Sequence, residues 1–418
     1  MLTPVWEVEP GGEGPLHAHV NATATGGGVS ELLRGLLRQQ PAGWAVIAGN
    51  AKFYAVTKYL HHLLHGQSDP ARLDDPELMR TYRATLEPQQ VWFKERVVQG
   101  DVVVLHDPQT LGLAPAIKAA GGRTVWHCHI GAVIEPERGP GAMWRAFGPE
   151  LEAVDAVVTT LPEFAPPSAH QLFLIPPAID LEAVKNRELG PDEIAAVLAE
   201  IGLTSGREAS DVVVVQERPL PPGARVVLQV SRWDPLKDMP GVARCVVGLP
   251  SDVHVVLAGT NPLEIPDDPE GLAVLAEVRA VLAELSEVDR SRVHLVNISM
   301  KQQDRNALVV NALQRRADVV MQKSLQEGFG LTVTEAMVKA KAVVASDVGG
   351  LRQQITHGHN GILVDPADLD DVRAQLCRLL DDPALRREFG DRARATVVER
   401  YTMPQFADAY RKVSEVLS

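Results

Sequence analysis

The most specific chemical pattern in the chain is KSLQEGFGLTVTEAMVKAKAVVASDVGG, residues 323–350, in which Glu327 and Glu335 stand with seven residues between them. Gly328 and Gly330, flanking Phe329, permit a tight backbone. The first helical N–H groups, around Leu331 and Thr332, can meet a phosphate. The two carboxylates suit sugar hydroxyls and not the phosphates themselves, so the pattern calls for a ligand carrying both. A second pattern, VSRWDPLKD, sets Arg232 and Lys237 five residues apart on one loop after a strand. A guanidinium fork with a flexible ammonium neutralises a departing diphosphate, although in isolation a solvated surface pair is the favoured reading, weakened by the pair's place at the carboxyl end of a strand.

Gly26-Gly27-Gly28 lead from a strand into an amphipathic helix. Free N–H groups at such a turn favour an anion or the close approach of a sugar, and a simple tight turn is the competing reading. Neither a Gly-Lys-Ser/Thr nor a GxGxxG spacing is present. The histidines form a fourth group: His17 and His19, then His106-Asp107, then His127-Cys128-His129. Period-two geometry turns His127 and His129 to one face of a strand and Cys128 to the other. Paired histidines suit zinc, but no carboxylate or cysteine spacing completes a shell, and plain hydrogen bonding is the simpler use. His61, His62 and His65 fall on a helical stretch and read as a solvated or partly packed face.

The elements that must position these residues alternate regularly. Short β-branched runs at 17–21, 44–49, 101–107, 124–129, 155–160 and 172–177 read as strands of a buried parallel sheet. Val29, Leu32, Leu33, Leu36 and Leu37 make one helical stripe between them, and Phe53, Val56, Leu60, Leu63 and Leu64 another. A second series follows at 225–232, 253–260, 292–299, 317–324, 342–348 and 361–364. The stretch between is rich in Pro, Gly and charge, with one apolar run of uncertain status. The expected organisation is therefore a first Rossmann-like domain over 1–180 with a C-terminal helix at about 400–418, a linker region over 181–224, and a second Rossmann-like domain over 225–399. Ligands of such sheets bind outside the carboxyl ends of the strands, so the expected site is a cleft between facing domains.

Length and composition agree with that organisation. The 418 residues correspond to two or three domains at about 150 each. With 45% hydrophobic and 23% charged residues, the chain has the make-up of a folded globular protein. Lys plus Arg number 41 against 54 Asp plus Glu, a net charge of −13, which gives no long-range pull on nucleic acid or an anionic membrane. No apolar stretch reaches the roughly 18 residues a membrane span needs, and the opening residues lack a leader's basic and apolar regions. Three scattered cysteines, Cys128, Cys245 and Cys377, suit a reducing compartment, and the expected location is cytoplasmic. Cys377 lies on an apolar stripe and reads as ordinary packing.

Together HVNATATGGGVSELL, VTKYLHHLLHG, LHDPQTLGL, WHCHI, IPPAIDL, VSRWDPLKD, DDPEG, VNALQRRADVVMQKSLQEGFGLTVTEAM and VGGLRQQI resemble the retaining nucleotide-sugar glycosyltransferases of family four. These have the GT-B fold, an α/β architecture of two doubly wound domains, and the nearest resemblance is to the trehalose-forming synthases. The resemblance spans nearly the whole chain and is most specific over 311–350. It implies a nucleoside diphosphate sugar as donor, held by the second domain, and a small hydroxyl acceptor held by the first. Arg232 and Lys237 would then hold the diphosphate, Glu327 the hydroxyls of the transferred sugar and Glu335 the ribose, with His129 near the reacting face. Gly27, Gly28, Gly328, Phe329, Gly330, Leu331 and Thr332 would line the donor, and Asp107, His127 and Gly131 the acceptor. No metal and no cofactor beyond the donor is implied, nor any nucleic-acid or membrane partner, and a homodimer is compatible.

One departure bears on the acceptor. Where the trehalose-forming members read Arg-Cys-His-Ile-Asp, this chain has His127-Cys128-His129-Ile130-Gly131, so a cation and a carboxylate are both lost. The expectation is opened space at Gly131 and an acceptor other than glucose. Three rival readings remain at this level: a phosphorylase acting on sugar 1-phosphate, a non-catalytic sugar-nucleotide sensor, and a metal-dependent hydrolase using His17, His19, His106 and His129.

Overall fold

The structure, a computed structural model, describes residues 3–11, 15–25, 28–205, 207, 209, 211–264 and 269–417. The chain divides into two units, Met1–Ala178 with Met403–Ser418, and Ile179–Thr402.

In the first unit the strands are β1 (Val5–Val8), β2 (His17–Asn21), β3 (Gly43–Val46), β4 (Val102–His106), β5 (Arg123–Cys128), β6 (Ala156–Thr159) and β7 (Leu172–Leu174). They pair in the order β1-β3-β2-β4-β5-β6-β7, all parallel except β1 against β3. Both faces of this sheet are covered. One carries Phe53, Leu60, Leu63, Trp126 and Cys128, the other Leu33, Leu36, Val104, Val125 and Val158. The stripes expected on the helices Gly28–Gln39 and Ala51–Leu64 are the ones buried. Phe406, Tyr410 and Val413 of the C-terminal helix Met403–Leu417 complete the second face. Gly35 admits that helix: a Cβ there would lie 2.7 Å from the Met403 sulfur.

The second unit contains β8 (Val212–Val215), β9 (Arg225–Val230), β10 (Val253–Thr260), β11 (Val293–Ile298), β12 (Val319–Gln322), β13 (Ala342–Ser346) and β14 (Ile362–Val364). Their order is β14-β13-β12-β9-β10-β11-β8, with only β8 antiparallel. In each sheet the order reverses beside the central strand, between β2 and β4 and between β9 and β12. At such a reversal the loops leaving two adjacent strands diverge and open a crevice at their carboxyl ends.

Three expectations need correction. Residues 181–224 are no linker, because the helix Pro191–Glu200 buries Val197 and Leu198 and β8 pairs with β11 inside the second unit. The run of uncertain status is thus a strand. Strand β1 was not expected at all: VWEV is an edge strand whose side chains are mostly exposed, so it carries no apolar alternation. Several strands also end before their sequence runs do. His129, Arg232, Lys323 and Ser324 lie past the last ladder pair, on loops.

Candidate active site

In the second unit the crevice lies between the loops that leave β9 and β12. Gln229, wholly buried in β9, ties them together: its side chain accepts from the Lys323 N–H at 2.8 Å and donates to the Lys237 carbonyl at 2.7 Å. A backbone bond from Leu325 to Leu236, 2.8 Å, closes the same seam. Asp238 adopts the left-handed conformation, φ 45°, caps the helix Met239–Arg244 through Gly241 N–H and ion-pairs with buried Lys323. The strained turn holds Lys237 over the neighbouring loop.

There Lys237 Nζ reaches both oxygens of Glu327, at 2.8 and 2.7 Å, and Ser324 donates to Oε2 at 3.0 Å. The lysine side chain is 15% and the glutamate 10% exposed, so this is a half-desolvated pair whose charges cancel locally. Arg232 is not part of it. Its guanidinium is 61% exposed and pairs with Asp234 at 2.8 Å.

Residues 327–330 are pressed against the Val348–Gly350 turn. A Cβ on Gly349, φ 46°, would sit 1.9 Å from the Glu327 carbonyl, and one on Gly350 2.3 Å from that of Gly328. Two glycines at 349 and 350 are what allow the contact. Gly330, at φ 90°, opens the helix Leu331–Val338 without any side-chain cap, which leaves its first N–H groups for a ligand. Phe329 is buried against Tyr401, ring centroids 5.4 Å apart, so it braces the loop. Thr332 Oγ1 is bound to Gln322 Oε1 at 3.1 Å.

Glu335 is buried on that helix, with Lys185 Nζ 3.6 Å from its Oε1. One turn on, Lys339 is buried too and donates to Gln314 Oε1 at 2.8 Å, the Glu335 carbonyl at 2.9 Å and Asn186 Oδ1 at 3.3 Å. Burial among these neutral acceptors pulls its ammonium down to about 7. Sequence reasoning missed Lys185 and Lys339, because the segment bearing Asn186 and Lys185 had been read as linker. Gln229 could have been found: a lone amide inside RVVLQVSR needs a buried partner.

In the first unit the ends of β2, β4 and β5 gather the histidines. His19 Nδ1 lies 3.0 Å from His106 Nε2, and His106 Nδ1 lies 2.9 Å from His129 Nε2. His127 and His129 stack at 3.7 Å, on one face as expected, and His127 Nδ1 meets the Tyr410 hydroxyl. Burial holds all four rings neutral, His129 down to about 3. His127 is wholly enclosed, and its Nε2 has no partner. Asp107 takes φ 60° and accepts from the His129 N–H at 2.8 Å, while burial raises its carboxyl to about 7. His17 stacks on His19 at 5.7 Å.

The space expected at Gly131 does not exist. A Cβ there would lie 2.3 Å from Phe164 Cγ, so the phenyl ring occupies the volume that an acidic side chain would take. Gly28 begins the helix Gly28–Gln39, whose first turn carries Glu31 and so disfavours an anion. Gly27 lies outside the described residues. No described helix is long and apolar enough to cross a membrane.

Residues 19–166 match the family described as trehalose synthase, N-terminal domain, and residues 215–396 that described as glycosyl transferases group 1. A trehalose synthase from Rubrobacter xylanophilus is 35% identical over 93% of this chain and 87% of its own. Among solved structures, the trehalose-6-phosphate synthase OtsA superposes with a TM-score of 0.73 at 15% identity, over 96% of this chain and 99% of its own. A trehalose-6-phosphate structure from E. coli, bound with UDP-2-fluoro glucose, gives 0.73 at 14%, over 95% and 98%. At these identities the superpositions speak for the GT-B fold.

Proposed function

This chain belongs to the trehalose synthase-type glycosyltransferases of GT-B fold, and from that membership we propose that it transfers a glucosyl group from a nucleoside diphosphate sugar to a hydroxyl acceptor with retention. The observation that carries the reading is the bidentate Lys237–Glu327 pair beside the uncapped start of the helix Leu331–Val338. Together these groups offer a cation and backbone N–H donors to phosphate, and a carboxylate to sugar hydroxyls. The UDP-2-fluoro glucose bound by the E. coli structure supports a donor of that class.

Lys237 stabilises charge on the leaving diphosphate, aided by the helix dipole. Arriving phosphate oxygens compete with Glu327 for the ammonium, and Glu327 keeps Ser324 as a donor while its free lone pairs take sugar hydroxyls. Exposed Arg232 is free to swing from Asp234 to the diphosphate. Glu335 accepts from the ribose hydroxyls. His129 and Asp107 supply hydrogen bonds to sugar, with Asp107 able to donate when protonated. No side chain is assigned as nucleophile: the acceptor attacks from the leaving-group face, the anomeric C–O bond to phosphate breaks, and a diphosphate oxygen takes the hydroxyl proton. No metal is required in this scheme.

The filled volume at Gly131 argues against an enlarged acceptor, while the missing carboxylate still removes one hydroxyl contact. An acceptor of hexose size that does without that contact is therefore favoured. Profiling a panel of hexoses, hexose phosphates and cyclitols tests this: a best acceptor much larger than a hexose contradicts it.

A further inference from the structure

Among the described residues, one set of three metal-ligating side chains converges. A ring nitrogen from each of His106, His127 and His129 lies within 4.8 Å of the other two. Hydrogen bonds explain His106 and His129, but they leave His127 Nε2 buried and unpartnered, which is costly in an apolar setting. An ion is one of the few things that satisfies such an atom.

The tautomers fit a ligand set. Ligation through His127 Nε2 leaves its Nδ1–H for the Tyr410 hydroxyl, and ligation through His106 Nδ1 leaves its Nε2–H for His19 Nδ1, 3.0 Å away. Metal-bound imidazoles need such outer partners to fix the ring. Tetrahedral zinc with Zn–N of about 2.0–2.1 Å sets ligand nitrogens about 3.3 Å apart. The His106–His129 contact of 2.9 Å has to open by a few tenths of an ångström, and the rings of His127 and His129, stacked 3.7 Å apart, have to turn until their nitrogens converge.

We propose that His106, His127 and His129 form an inhibitory site for zinc-like transition metals. Three imidazoles and no carboxylate ligand select such ions over magnesium. Binding ties up His129, and sugar transfer stops. That consequence rests on the role assigned to His129 above, whereas metal binding itself does not.

The chain, stripped by chelator and dialysed, is titrated calorimetrically with Zn²⁺ and with Mg²⁺, and separately with Co²⁺ by visible absorption. A saturable zinc site, no magnesium heat and intense cobalt bands of a low-coordinate nitrogen site are expected. His127→Phe weakens zinc by more than about tenfold, the lower end for disturbing even an outer partner. His61, in the last turn of the helix Ala51–Leu64, and His65, just past its end, with rings 4.8 Å apart, are the competing pair. Loss of binding in His61→Ala, or full binding in His127→Phe, overturns the site. Should His127→Phe not fold, the wild-type cobalt spectrum still decides, since weak octahedral bands contradict it. Zinc bound without slowing transfer overturns the inhibitory claim. A metal-free chain inactive on every donor overturns the transfer reading and leaves the calorimetry to judge the metal.

Discussion

At the residue scale the decisive feature is that Lys237 already has an anion. Glu327 holds the ammonium with both of its oxygens, so in the proposed reaction little side-chain entropy would be lost on donor binding. Lys237→Ala is expected to lower kcat by about 10²–10³-fold, the usual effect of removing one charge-stabilising donor, with the far-ultraviolet circular dichroism unchanged. Steady-state rates near wild type would remove Lys237 from the mechanism. Glu335→Gln addresses binding instead. Hydrogen bonds to a charged group are worth about 1.5–3 kcal/mol, so donor KM is expected to rise by about 10–100-fold, with kcat much less affected. A kcat loss with unchanged KM would assign Glu335 elsewhere.

At the scale of elements, edge strand β8 is held through a polar relay. His254 Nδ1 lies 2.9 Å from His294 Nε2, and His294 Nδ1 2.8 Å from Gln216 Oε1, just past β8. The amide oxygen can only accept, so His294 donates to it through Nδ1–H and accepts from His254 through Nε2. His294 is therefore neutral, and burial lowers both rings, His294 to about 3. A histidine depressed on folding contributes stability that is present above its unfolded value of about 6.5 and is lost as pH falls toward the folded value. Urea midpoints are thus expected to drop between about pH 6.5 and 4, less steeply in His294→Gln; equal slopes would contradict the relay. At the β5 exit, Gly131→Ala drives a methyl into Phe164 and is expected to cost about 1–3 kcal/mol, relieved in combination with Phe164→Ala. These elements also mark where sequence reading stopped. Buried parallel strands and helical stripes advertise themselves by pattern, and Glu327, Gly330 and Lys237 by spacing. Strand β8 hid because VVVV with exposed and half-buried positions has no period. Phe164 lies 33 positions from Gly131, Lys185 150 from Glu335 and Tyr410 283 from His127, and partners so distant leave no local trace.

At the scale of the whole molecule, the chain leaves its first unit after Ala178 and returns at Met403. Residues 403–417 give Met403, Phe406, Tyr410 and Val413 to the first unit's core, whereas residues 179–402 contain both faces of their own sheet. Cutting the chain after 402 is expected to unfold the first unit while leaving the second able to bind nucleotide. Calorimetric scans would show this as loss of one transition, with the survivor raised by added diphosphate nucleotide; a nucleotide-blind fragment would contradict it. The central claim is transfer with retention from a nucleoside diphosphate glucose, and proton NMR of the metal-free full chain with UDP-, ADP-, GDP- or TDP-glucose and hexose acceptors tests it most directly. The account predicts an α-linked product, with the small coupling of an axial–equatorial proton pair, growing in step with free nucleoside diphosphate. A β-linked product, or free glucose alone, would contradict it.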